Sequence, residues 1–194
     1  VAAATFRGLR YVAAGLSVEL VRRRSARRTR TLAAQVVESD AAYWALRIPL
    51  ETGRASSVGA AVAALAAHRD ALGATGAFKL VFPQPAGLDA GAAAGTLASA
   101  ASARAVVLSI AGGAGLAAGL RFTIAGQSPV YQIADASGAV IQIAPRLRFD
   151  APAGAALDFA PVMRARYAGG GDFSVSYAGG GLAPAVVIEV EEAL

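Results

Sequence analysis

The chain reads as a mainly β protein with one principal α-helix, an α+β arrangement in which a sheet-plus-helix unit precedes a small antiparallel β-barrel. Three observations predict this. Apolar and polar residues alternate in "LSVELV", "YWALRIPLE" and "AVVIEVEE", the period of a half-buried strand. Residues 57–72, "SVGAAVAALAAHRDAL", form the one long stretch with helical spacing. Beyond residue 119 the chain becomes short apolar runs separated by turn residues, as in a barrel or sandwich.

The first strand candidate sets Leu16, Val18 and Leu20 against Ser17 and Glu19, and "TLAAQVVES" follows as a second extended stretch. In "YWALRIPLE", Trp44, Leu46, Ile48 and Leu50 fall on one face, and Pro49, which lacks an N–H, is expected at a strand end or on an edge. The helix is capped by Ser56 or Ser57, carries Val58, Val62, Leu65 and Leu72 on one stripe, and is ended by Gly73. "GAFKLVFPQP" then turns Phe78, Leu80 and Phe82 inward before two prolines stop the strand.

Glycine, alanine and serine dominate residues 86–119, where "RAVVLSI" is the one clear strand. The strands expected after it are "LRFTI", "PVYQIA", "AVIQIA", "ALDFAPVMRARY", "FSVSY" and "AVVIEVEE". "AGQS" and "DASG" have hairpin lengths, with Gly138 suited to positive φ. The glycine runs at 169–171 and 179–181 read as loops. The resulting division is a sheet-plus-helix domain at 1–86, a barrel at 87–160, and carboxyl-terminal strands at 161–194 that return to the first domain.

The chain has 194 residues and is 56% hydrophobic, which excludes general disorder. Much of that fraction is alanine, so the core must rest on fewer large side chains: Trp44, Phe78, Phe82, Phe122, Tyr131, Phe149, Phe159 and Phe173. There is no cysteine, so disulfides, thiolate metal sites and a cysteine nucleophile are excluded. The amino-terminal "VAAATFRGLR" lacks the pattern of a signal peptide. The longest uncharged stretches are 16 residues and are broken by glycines, against about 20 for a spanning helix, so no membrane insertion is expected.

The net charge of +5 is local: residues 1–36 hold eight arginines against Glu19 alone, and the remainder is slightly acidic. Six of those arginines, Arg22, Arg23, Arg24, Arg27, Arg28 and Arg30, stand in "RRRSARRTR". The run has neither a recognition helix nor aromatics for stacking, and no adjacent apolar face for a membrane. Arginine's planar fork suits bidentate pairing with carboxylates, so contact between subunits is the preferred reading, ahead of a solvated loop and of transient contact with DNA. Glu189, Glu191 and Glu192 form the dense acidic cluster that could meet it, within one subunit or between two. Strand alternation puts Glu189 and Glu191 on one face and Glu192 on the other, with Val186, Ile188 and Val190.

Candidate chemistry elsewhere reads as structural. "GGAGLAAG", residues 112–119, has the start of a dinucleotide loop, and Asp135 follows at about the ribose-binding distance of 20 residues. No helix separates it from "LRFTI", so a connection between strands is expected. His68, the one histidine, lies on the helix with Asp70 turned to another side, and no Gly-x-Ser-x-Gly elbow occurs. No catalytic, cofactor-binding or metal-ligating residue is assigned, and no enzymatic activity is expected.

The order of elements resembles a known family. Strand, arginine-rich turn, strand, "AAYWALRIPL", helix "VGAAVAALAAHRDALGATG" and strand "AFKLVFPQP" are similar to the amino-terminal part of distal tail proteins and related minor tail proteins of long-tailed bacteriophages. "LAAGLRFTIAGQSPVYQIADASGAVIQIAPRLRFDAPAGAALDF" resembles the small galectin-like or OB-like barrel that follows in many of them, and "FSVSY" with "VVIEVEEAL" resembles their last strands. The resemblance implies a structural subunit of the tail tip in the virion, assembled in the host cytoplasm. Its subunits would form a ring, hexameric in that family, with the tail tube protein and the hub protein of the baseplate as neighbours. Another tail component, such as a tube or tail-completion protein, is the alternative within that class; a carbohydrate-binding module using the barrel is the alternative outside it.

Overall fold

The fold is given by a computed structural model, which describes residues 5–6, 9–11, 16–22, 24–28, 34–38, 42–51, 58–73, 76–168, 174–176 and 185–193. In chain order its elements begin with β1 (Thr5–Phe6), β2 (Leu9–Tyr11), β3 (Ser17–Val21), β4 (Arg24–Arg28), β5 (Ala34–Glu38), β6 (Tyr43–Glu51), α1 (Val58–Leu72) and β7 (Phe78–Val81). They continue with β8 (Ala94–Leu97), β9 (Val107–Ala114), β10 (Arg121–Ile124), β11 (Tyr131–Ser137) and β12 (Val140–Ala144). β13 (Leu157–Asp158), β14 (Val162–Tyr167), β15 (Ser174–Ser176) and β16 (Ala185–Glu192) complete them. The protein is mainly β with a single described helix, as the patterning predicts.

Two compact units share the chain: one holds Val1–Glu19, Trp44–Leu80 and Arg164–Leu194, the other Leu20–Tyr43 and Val81–Met163. Residues 20–43, read from the sequence with the first domain, thus group with the barrel. The segment read as 161–194 contributes β14, β15 and β16 to the first sheet.

That sheet runs β1-β2-β6-β16-β14-β7, with β3 also on β6 and β15 also on β16. Its centre is the antiparallel pair β6 and β16, in register from Ala45↔Glu191 to Glu51↔Ala185. Alternation does the selecting: Trp44, Leu46, Ile48 and Leu50 are at most 3% exposed, and Leu46, Ile48 and Leu50 stand opposite the buried Val190, Ile188 and Val186. The helix lies against β16 and buries Ala61 and Leu65. Val58, Val62 and Leu72 of the expected stripe are half-buried, and Gly73 has the left-handed φ of 70° that ends a helix. Ser56 and Ser57 lie outside the described residues.

Pro49 corrects one expectation. It sits inside β6 opposite Val187, not at a strand end or on an edge. A strand residue points its N–H toward one flanking strand only, so proline removes a single rung and the remaining ladder holds.

The second sheet has the order β13-β10-β11-β12-β9-β8 and is antiparallel throughout. Its ends approach each other through the bridges Thr96↔Ala156 and Ala101↔Ala151, and Leu97 N–H donates to Ala155 C=O at 2.9 Å. The closure makes a barrel whose interior holds Leu97, Leu108, Phe122, Tyr131, Ile141 and Phe159 with their neighbours. Phe122 lies 5.8 Å from Tyr131 and 5.7 Å from Phe159 between ring centroids. The expected Gly138 turn is present, with φ 58° between β11 and β12.

Four differences from the sequence reading occur in this region. β8, "AGTL", shows no alternation because its one fully buried side chain is Leu97. β9 continues through residues 112–114, glycines included. "ALDFAPVMRARY" is two strands, β13 and β14, interrupted at 159–161, where Phe82 N–H bonds Pro161 C=O at 2.9 Å. Phe149, counted with the core aromatics, is 57% exposed. Phe173 and both later glycine runs lie outside the described residues.

Candidate functional site: an arginine-rich hairpin and a glutamate strand

The arginine run is itself largely a strand. β4 carries Arg24, Arg27 and Arg28 and pairs antiparallel with β5, with Arg24 opposite Glu38, Arg27 opposite Gln35 and Arg28 opposite Ala34. Among the described residues the two strands pair only with each other. Arg22, just before the hairpin, is exposed, whereas Arg23 and Arg30 lie outside the described residues.

The three glutamates of β16 have partners in their own chain. Glu191 faces Arg166 of β14 across the ladder and accepts from its Nε and Nη2 at 2.7 Å. Glu189 faces Arg47 of β6 at 3.9 Å, an exposed pair worth at most about 1 kcal/mol. Glu192 is 3% exposed and accepts the Trp44 N–H at 3.2 Å. β16 therefore offers the surface a row in which Arg47 and Arg166 flank Glu189 and Glu191, with Glu192 turned into the fold.

Replacing Glu192 by alanine removes a buried hydrogen bond, leaves the Trp44 N–H without this acceptor, and should cost about 1–3 kcal/mol. Glu192→Gln keeps an acceptor for Trp44 and should recover most of that loss, read as denaturation midpoints of the two variants.

His68 is held among aromatic rings. Its Nδ1 lies 2.9 Å from the Tyr167 hydroxyl, and its ring meets Phe78 and Tyr167 edge-on with centroids 5.4 and 5.9 Å apart. Asp70 instead pairs with Arg69 at 3.2 Å on the exposed side of α1.

The glycines of 112–119 have a steric reason for being there. Gly115 has φ 62°, and a Cβ on it would stand 2.6 Å from the Ala92 carbonyl oxygen. The turn between β9 and β10 thus needs a residue without a side chain. Asp135, where a ribose-binding acid was sought, is an exposed residue at the bulge where β11 pairs with β12.

A further polar site, invisible in the patterning, fastens residues 82–85 to the barrel. The Gln84 amide donates to the carbonyls of Arg121 at 2.6 Å and Phe159 at 2.7 Å, and its oxygen accepts the Arg121 N–H at 2.9 Å. Arg121 answers with Nη1 donating to Pro83 C=O at 2.7 Å, while its guanidinium lies 5.2 Å from the Phe82 ring centroid. Burial pushes the pKa of Arg121 below its ordinary value.

Among the described residues no three His, Asp or Glu side chains group as a metal site would need, and no helix is long and apolar enough to cross a membrane. No protein-family model matches the chain, and a search of curated proteins returns no match.

Proposed function

We propose that the chain is a structural subunit of a bacteriophage tail tip, assembling into a ring, hexameric in copy number, that joins the tail tube to the hub. The observation that carries this reading is the arginine-bearing hairpin β4–β5, which pairs with no third strand among the described residues. A lone two-stranded hairpin is marginally stable in water, and a run of six arginines in nine residues adds like-charge repulsion. Both problems are relieved when the hairpin lies on a neighbouring protomer that offers carboxylates and strand or backbone partners. A closed ring repeats one such heterologous contact around its axis. Because Glu189 and Glu191 already have Arg47 and Arg166, the arginines draw mainly on acceptors other than β16. The role requires no catalytic group, cofactor or metal.

Reversing Arg22, Arg23, Arg24, Arg27, Arg28 and Arg30 to Glu should abolish the ring and leave both compact units folded. Images of whole particles and the mass of the purified protein by light scattering read the first result, and circular dichroism reads the second. A folded variant that still assembles normally would overturn the proposal.

A further inference from the structure

The outer edge of the first sheet points to a docking surface. β7 ends the strand order beside β14, and among the described residues β14 is the one strand it pairs with. Burial alternates along both strands: Leu80, Met163 and Ala165 are buried, while Lys79, Val81, Val162, Arg164 and Arg166 are exposed on the opposite face. Phe82, the residue after β7, directs its N–H to the β14 side, where it bonds Pro161 C=O at 2.9 Å. Backbone groups of an extended chain alternate in direction, so Val81 and Lys79 turn their N–H and C=O toward the open edge.

This edge carries exposed apolar surface and unanswered charge together. Val81 is 60% exposed and Val162 40% exposed. On the same face of the sheet Arg166 has Glu191 and Arg47 has Glu189. Lys79 and Arg164 pair with no carboxylate among the described residues. A lysine alone on an edge strand serves to keep it from pairing, but an edge built only for that purpose has no use for two exposed valines beside the lysine.

We infer that β7 is the docking edge for an extended acidic segment of a partner protein, which adds as a further strand. The segment hydrogen-bonds to Val81 and Lys79, covers Val81 and Val162 with apolar side chains, and sets carboxylates against Lys79 and Arg164. A second copy of the chain, joined edge to edge, would bring Lys79 and Arg164 of both copies together, like charge against like. A nucleic acid would use the cations and leave the valines and the backbone edge without a role.

The test uses the full chain and a fluorescein-labelled peptide repeating Glu-Thr-Val-Thr, which as a strand places glutamate and valine alternately on one face. Anisotropy should show that wild-type protein binds it more tightly than the matching Lys-Thr-Val-Thr peptide. Val81→Pro removes the N–H on the open edge and spares the ladder to β14, and should weaken binding by up to about tenfold, the worth of one hydrogen bond. Lys79→Glu combined with Arg164→Glu should weaken it roughly tenfold at low salt and less as salt is raised. The same double variant should gain affinity for the lysine peptide, a gain that lost fold cannot produce. Absence of binding, equal affinity of wild type for the two peptides, affinity unchanged in either variant, or no gain for the lysine peptide would each overturn the proposal. So would displacement by oligothymidine as effective as by unlabelled peptide, or self-association by light scattering that Val81→Pro abolishes. The variants leave residues 22–30 intact, so the outcome is independent of the ring.

Discussion

Phe122→Ala is expected to destabilise the barrel by about 3–5 kcal/mol, the range for truncating a buried aromatic. Phe122 is fully buried and its ring is wedged between Tyr131 and Phe159, each less than 6 Å away between centroids. The cost should fall in the upper part of that range for a reason rooted in composition. Ten of the fourteen side chains of the barrel core are leucine or isoleucine, a close-packed wall that relaxes only partly into the void. Denaturant titration of the full chain, followed by Tyr131 and Trp44 signals separately, assigns the loss to the barrel or to the sheet unit. Phe149→Ala is the matched control: the same deletion at a 57%-exposed site should change stability by no more than about 0.5 kcal/mol. Equal losses in the two variants would mean that the barrel interior is not where the structure places it.

Gln84→Glu is expected to cost about 2–4 kcal/mol although it changes one atom group and no volume. β10 is flanked by β11 at Arg121 and Phe122, but β13 reaches it only at Thr123 and Ile124. On that second side the backbone of Arg121 would lack a partner, and the Gln84 amide supplies one, acting as a single peptide unit with a donor and an acceptor in place. A carboxylate keeps the acceptor for Arg121 N–H and loses both donations, setting negative oxygen against the carbonyls of Arg121 and Phe159. Gln84→Ala should lose the acceptor as well, so hydrogen exchange at the Arg121 amide should quicken in Ala and stay protected in Glu. A neutral Gln84→Glu would show that water replaces the amide without penalty.

Several features were legible because burial imposes a period. β6 and β16 each bury one face along their length, with only the facing Pro49 and Val187 buried on the other side, so "YWALRIPLE" and "AVVIEVEE" declare both their conformation and their inner face, down to Glu192 sharing the side of Val186, Ile188 and Val190. The helix was legible from alanine and a spaced apolar stripe, and the Gly138 turn from the need for positive φ. β8 was not, since glycine, alanine and threonine with one buried leucine produce no period. The arginine run was legible as charge, and its being a strand was not, because "RSARR" has no apolar face to alternate.

By itself the sequence determined where the helix and the best-patterned strands form, which side chains face inward along those strands, and where the charge is concentrated. These are local properties, set by backbone sterics and by the solvent preference of each side chain. Tertiary structure alone decided that β16 pairs with β6 across more than a hundred intervening residues, that Glu191 takes Arg166 as its partner, and that Gln84 substitutes for a missing strand. It alone turned Phe149 outward and bent Arg104 into a glycine conformation. Pairing between distant segments depends on which edges are left open once every other element has packed, and no window of neighbouring residues contains that information.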